Sequence, residues 1–172
     1  TSYGDSPYQS FSTFAGNPYF ISLEDLIQEG VLTEEECSRA DFGSRPDFVD
    51  YAKVYEERYP LLRKAYERSS ISLDPEFRKF RDENRWWLED YALFMAVKAR
   101  FKGTAWTRWA QDIRLRWQNA LDYYRRELYY DIEFHQYLQF KFSQQWKKLK
   151  SYANANGIRI IGDIPIYVAM DS

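Results

Sequence analysis

The hydrophobic pattern changes period at Gly157. Ahead of it, Phe134, Tyr137, Leu138, Phe142, Trp146 and Leu149 fall on one side of a helix that Asn156–Gly157 stops. Behind it, Ile158, Ile160, Ile161, Ile164, Ile166 and Val168 are β-branched and almost contiguous, which predicts a strand apolar on both faces. Helix, glycine, strand is the second half of a parallel α/β unit. No other segment reads convincingly as a strand, and one strand leaves its own backbone donors and acceptors unpaired. The chain is therefore expected to be a piece of a larger α/β fold.

Upstream, the reading is almost wholly helical. Residues 1–21 carry Gly, Pro, Ser, Asn and Tyr, which is loop chemistry, with Pro7 and Pro18 against regular helix. Ser22 with Asp25 three residues on starts a helix that Gly30 ends. Thr33 starts another, with Glu34, Glu35 and Glu36 at the positive end of its dipole. After a linker from Asp41 to Pro46, Phe48, Tyr51, Ala52, Tyr55, Leu62 and Tyr66 predict a longer helix that Pro60 kinks or divides. Asp74–Pro75 is a cap followed by proline at the first helical position. Trp86, Trp87, Leu88, Tyr91, Leu93, Phe94, Met95 and Val97 cover nearly every face of a helix, which predicts that it is buried, and Lys102–Gly103 ends it. Another helical run reaches from Trp109 to Tyr130.

Several function classes are excluded by what the 172 residues lack. The formal net charge is -2, so no basic excess exists to neutralise a phosphate backbone, and nucleic acid is not an expected partner. No run of about 18 apolar residues appears, so no membrane span is expected, and no signal peptide is recognised. Cys37 is the only cysteine, which fits a reducing, cytoplasmic compartment and supplies no zinc cluster. His135 is the only histidine, which removes Ser-His-Asp and Cys-His arrangements within one chain, and it reads as an ordinary helix residue. The aromatic fraction of 19% is high: Tyr and Trp combine an apolar face with a polar edge and suit both helix packing, to which most are assigned, and sugar rings.

Two segments could carry chemistry. From Tyr3 to Tyr19, hydroxyls, amides and a carboxylate alternate with aromatic faces. A sugar offers hydroxyls at its rim and C–H patches on its faces, so this loop suits one; simple turn formation is the alternative. In the second, Gly157 to Ser172, an acid toward the end of a buried strand is costly unless paired or used. In parallel barrels the functional residues sit at the C-terminal ends of strands. Asp163 is thus a candidate site residue and Asp171 a second, with a structural carboxylate as the alternative. Glu89 and Asp90, on the tryptophan-rich helix, invite an acid/base role, but pairing with nearby Lys or Arg is the expectation.

The segments GDSPYQSFSTFAGNPYFISL, NRWWLEDYALFMAVK and YANANGIRIIGDIPIYVAMDS resemble, in order, the amylomaltase or disproportionating-enzyme family of 4-α-glucanotransferases. The resemblance implies a (β/α)8 TIM-type barrel with large helical insertions, of which this piece is the predominantly helical N-terminal part. Residues 1–21 would be a glucan-binding opening loop, residues 22–156 a helical insertion with barrel helices, and residues 157–172 a barrel strand. It implies transfer of an α-1,4-glucan segment to the 4-hydroxyl of an acceptor glucan, with maltodextrins, maltose and glucose as partners and no metal or organic cofactor. By motif, Ser6 and Tyr8 would contact glucose units near the cleavage point, Asp5 and Gln9 would orient their loop, and Tyr3 would belong to a nearby glucan-binding patch. Asp163 would organise the active-site floor by hydrogen bonding. The family's nucleophilic aspartate and its acid/base glutamate lie on later strands, so no catalytic residue is expected in this chain, which alone would be inactive. A non-catalytic carbohydrate-binding or helical interaction module is the rival expectation, and a hydrolase of the same clan a second.

Overall fold

The computed structural model describes residues 9–45, 47–163, 167–168 and 171. Among them the regular structure is β1 (Gln9–Ser10), α1 (Leu23–Gln28), α2 (Glu34–Ser38), α3 (Tyr51–Arg68), α4 (Pro75–Arg100), α5 (Gln111–Arg114), α6 (Gln118–Glu127), α7 (Tyr129–Ala155) and β2 (Tyr167–Val168), with three short 3-10 turns.

The helix starts follow from their caps. Ser22 accepts the Asp25 N–H at 3.0 Å. Thr33 and Glu36 complete a reciprocal capping box on α2. Asp74 accepts the Glu76 N–H at 2.7 Å, with Pro75 at the first helical position. At the far end of α7, Gly157 sits at φ 75 while its N–H and that of Ile158 close back onto Asn154 and Ala153. That closure needs a left-handed residue, which glycine supplies without strain.

The two long helices α4 and α7 form the axis. They run antiparallel: Phe77 and Phe80 meet Phe140, while Leu93 and Val97 share a cluster with Leu128 and Ile132. Around their first contact, α1 and α3 pack Leu26, Leu62, Ala65 and Tyr66 against Leu88, Tyr137 and Leu138. Around the second, α5 and α6 pack Ile113, Ala120 and Leu121 against Leu93, Ala96 and Val97. Each fully buried large side chain contributes about 1.5–3 kcal/mol to this arrangement.

Four expectations are corrected. The stretch from Ile158 to Asp163 is irregular and exposed, with Ile161 at 95%. A β-branched run becomes a strand only where a neighbour accepts its ladder bonds. Among the described residues that neighbour is β1, inside the segment read as loop, and it pairs two residues in parallel register: Gln9 with Tyr167 and Ser10 with Val168. The tryptophan-rich helix is not buried all round, since Trp86 is 68% exposed and Glu89 and Asp90 face outward. Pro60 does not divide α3; it lies on an exposed face, where water can satisfy the carbonyl of Glu56 that the missing N–H leaves unbonded. The run from Trp109 to Tyr130 is broken, because Arg116 turns left-handed at φ 56 between α5 and α6.

Candidate functional site

A cleft of about 680 Å³ opens between α3, α4 and α7. Its walls are aromatic. Phe11, directly after β1, and Tyr19 come from the opening segment, Tyr55 and Tyr59 from α3, and Phe134 from α7. Tyr55 and Tyr59 lie 4.9 Å apart by ring centroids, and Tyr19 meets Tyr59 edge-on at 6.3 Å. Burial holds the Tyr59 phenol well above its ordinary value, so it stays a neutral hydrogen-bond donor at any physiological pH.

The polar groups of the cleft are Glu56, Arg63, Lys98, His135 and Asp171. Lys98 and Asp171 form an ion pair with side chains only 11% and 15% exposed. The second Asp171 oxygen accepts the backbone N–H of Trp106 at 3.0 Å. Lys98 Nζ also stands 5.1 Å from the centroid of the Phe11 ring. One ammonium on α4 thereby holds both the residue that follows β1 and the turn that follows β2. Asp171, a candidate by sequence, is here a structural carboxylate.

His135 is buried in the cleft wall, and burial, reinforced by the Arg63 charge, pushes its imidazole down to about 3. It lies on a helix, as expected, and is neutral there. Arg63 stacks over Phe134 at 3.8 Å and pairs with Asp131 at 2.7 Å. Glu89 and Asp90 have the ordinary partners expected of them: Arg85 at 3.0 Å and Arg116 at 2.8 Å.

The opening segment is clamped to α7 by two glutamines. Gln139 accepts the Gly16 N–H at 2.7 Å and donates to the Gly16 carbonyl at 3.0 Å. Gln145 does the same to Ser22, at 2.7 and 3.2 Å. Each side-chain amide thus imitates a neighbouring strand. Gly16 lies so close to α7 that a Cβ there would stand 2.1 Å from a ring carbon of Phe142. These residues escaped the reading of the sequence. The available signal was a set of amides interleaved with the apolar residues Phe134, Tyr137, Leu138, Phe142 and Trp146 of one helix, because a buried amide must find partners.

Of the residues singled out by motif, Tyr3, Asp5, Ser6 and Tyr8 lie outside the described residues. Gln9 lies in β1, paired with Tyr167. Asp163, expected within a buried strand, is exposed and sits ahead of β2, and it does not line the aromatic cleft. The structure therefore brings the trailing end of the opening segment against β2 and Asp171, and leaves Asp163 on the surface. Among the described residues no group of three or more His, Cys, Asp or Glu could hold a metal ion, and no helix is long and apolar enough to cross a membrane.

Comparison with known proteins agrees over the full length. The family model of glycoside hydrolase family 77, described as 4-alpha-glucanotransferase, matches residues 1–172. The chain is 46% identical over 172 residues to the 4-alpha-glucanotransferase of Clostridium butyricum, covering 100% of this chain and 35% of that one. It is 50% identical over 174 residues to that of Streptococcus pneumoniae serotype 4, covering 100% of this chain and 34% of the relative. The chain thus spans about a third of the length of the curated relatives it matches. Its structure superposes on an amylomaltase from Streptococcus agalactiae in complex with acarbose with a TM-score of 0.92 and 41% identity, over 100% of this chain and 35% of that chain. The chain belongs to the 4-alpha-glucanotransferase family.

Proposed function

We propose that the chain forms part of the glucan-holding wall of a 4-α-glucanotransferase that moves an α-1,4-glucan segment to the 4-hydroxyl of an acceptor glucan. The observation that carries this reading is the parallel pairing of β1 with β2, which joins the tyrosine- and serine-rich opening segment to the isoleucine-rich one beside an aromatic cleft. Support also comes from the full-length family match and from a structural neighbour in complex with acarbose.

The reaction is a retaining double displacement. Two carboxyl groups about 5–5.5 Å apart divide the work: one attacks the anomeric carbon, and the other protonates the departing glucan oxygen and later deprotonates the acceptor hydroxyl. Both belong to polypeptide beyond these 172 residues, in the remainder of a (β/α)8 barrel. This chain's part is to hold glucan and keep water from the glycosyl-enzyme. Ser6 and Tyr8 contact glucose units, Asp5 and Gln9 orient their loop, Tyr3 extends the patch, and Asp163 organises the floor once barrel strands cover it. Residues 1–21 act as the glucan loop, residues 22–156 as insertion and barrel helices, and residues 157–172 as a barrel strand. The setting is cytoplasmic, the partners are maltodextrins, maltose and glucose, and the chemistry calls for no cofactor.

The test is to substitute this chain for the corresponding third of the Streptococcus pneumoniae relative and assay maltotriose disproportionation. The chimera is expected to be active, with kcat/KM lowered at least roughly tenfold, about 1.4 kcal/mol, by Ser6→Ala or Tyr8→Phe. Parental activity in both variants would contradict the roles given to those residues.

A further inference from the structure

A second concave site lies between α4, α6 and α7, with a volume of about 430 Å³, inside the range of small-molecule pockets. Three guanidiniums line it: Arg81 and Arg85 from α4, and Arg125 from α6. Arg85 is engaged by Glu89 at 3.0 Å. Arg125 has only a loose contact, 3.7 Å, with Asp122. Arg81 lies over the Phe77 ring and has no carboxylate partner among the described residues.

The floor carries Glu133, 4% exposed, whose carboxylate is already occupied: it accepts Tyr66 Oη at 2.9 Å, Ser72 Oγ at 3.0 Å and Tyr129 Oη at 3.2 Å. Gln136 also lines the site, is 4% exposed, and its amide has no hydrogen-bond partner among the described residues. The Gln136 amide is not sealed in the core but reaches the open space of the groove, where a partner can meet it. Glu89 holds Arg85 and Asp122 stands loosely by Arg125, so among the described residues Arg81 is the guanidinium of the lining with no carboxylate of its own.

We propose that this groove binds a small phosphomonoester that carries hydroxyl groups. The phosphate sits between Arg81 and Arg125, whose planar forks suit phosphate oxygens, and the amide of Gln136 takes a hydroxyl of the neutral body. The site is separate from the aromatic cleft, so its failure leaves the glucan assignment untouched.

The experiment is calorimetric titration of the 172-residue chain at constant ionic strength with glucose 6-phosphate, inorganic phosphate and glucose. Glucose 6-phosphate is expected to saturate and to bind more tightly than inorganic phosphate, with glucose silent. Arg81→Gln and Arg125→Gln are each expected to weaken it roughly tenfold or more, and Gln136→Leu to remove its advantage over inorganic phosphate. Arginine Nε–H resonances of the unsubstituted chain give a readout that does not depend on the variants folding, with Arg81 and Arg125 shifting and the distant Arg39 unmoved. No saturation in the millimolar range, equal affinity for the two phosphates, or unmoved Arg81 and Arg125 resonances would overturn the proposal.

Discussion

Lys98 ties together parts of the chain that are far apart in sequence. It is a lysine near the end of an amphipathic helix, where such residues ordinarily reach water. Here it is 9% exposed, paired with Asp171 and close to the Phe11 ring. Removing one member of a buried pair strands the other charge, so Lys98→Met is expected to cost about 3 kcal/mol in chemical denaturation, and Lys98→Met with Asp171→Leu less than the sum of the single changes. A Lys98→Met chain within about 0.5 kcal/mol of the parent would show that the pair does not organise this region. His135 makes a second prediction at this scale. Its folded imidazole is depressed to about 3, below the ordinary 6.5, so the unfolded chain binds the extra proton between those values. The resulting stability is complete above pH 6.5 and is lost as pH falls toward 3, at up to about 1.4 kcal/mol per pH unit. Stability curves at pH 7, 6, 5 and 4 for the parent and His135→Phe should diverge in slope. Carboxylates held low, such as Glu36 beside Arg68 and Lys64, add acid sensitivity to both chains and cancel in the comparison. Parallel slopes would contradict the burial of a neutral imidazole.

At the scale of elements, what could be read beforehand followed from local chemistry. Ser22, Thr33 and Asp74 cap helices because their side-chain oxygens reach orphan N–H groups two or three residues on, and Gly157 stops α7 because it tolerates a positive φ. What could not be read depended on distant partners. β1 is two residues inside a turn-rich segment, and nothing in Gln9–Ser10 marks it until Tyr167–Val168 lies alongside. Trp86 stays exposed because of how α4 packs, and the break at Arg116 is a left-handed closure of α5, with the Trp117 N–H bonded to the Asp112 carbonyl, that no glycine announces. Most aromatics were assigned to packing, yet twelve of those described are exposed, among them Tyr55 of the cleft wall and Phe20, Trp146 and Tyr152 on one face. The glutamine clamp is open to test at this scale. Gln139→Leu together with Gln145→Leu removes four hydrogen bonds to Gly16 and Ser22 and leaves backbone groups to find water. Amide exchange over residues 11–22 is expected to accelerate at least tenfold while the α4–α7 core keeps its protection. Unchanged exchange there would mean that the segment is held by its aromatic contacts alone.

For the whole molecule, family membership and chemistry separate. Two long antiparallel helices form a scaffold on which an aromatic cleft, a glutamine-clamped segment and a short parallel ladder are assembled. That scaffold superposes closely on about a third of an amylomaltase. The glucan-holding role proposed for this third calls for aromatic faces and hydroxyl partners; composition supplies both but suits turns and helix packing as well, and it is the family resemblance that points to glucan. Bond cleavage needs a carboxylate pair, and the proposal gives it to the rest of the enzyme: of the two acids that line the cleft among the described residues, Asp171 is engaged by Lys98, which leaves Glu56 without a second free carboxylate there. The most direct measurement is to incubate the isolated 172-residue chain with maltotriose and analyse the products over time. The expected outcome is no turnover, so neither glucose nor longer maltodextrins accumulate. Glucose and maltopentaose appearing at a rate near that of a full-length relative would contradict the division of labour between this chain and the remainder of the enzyme.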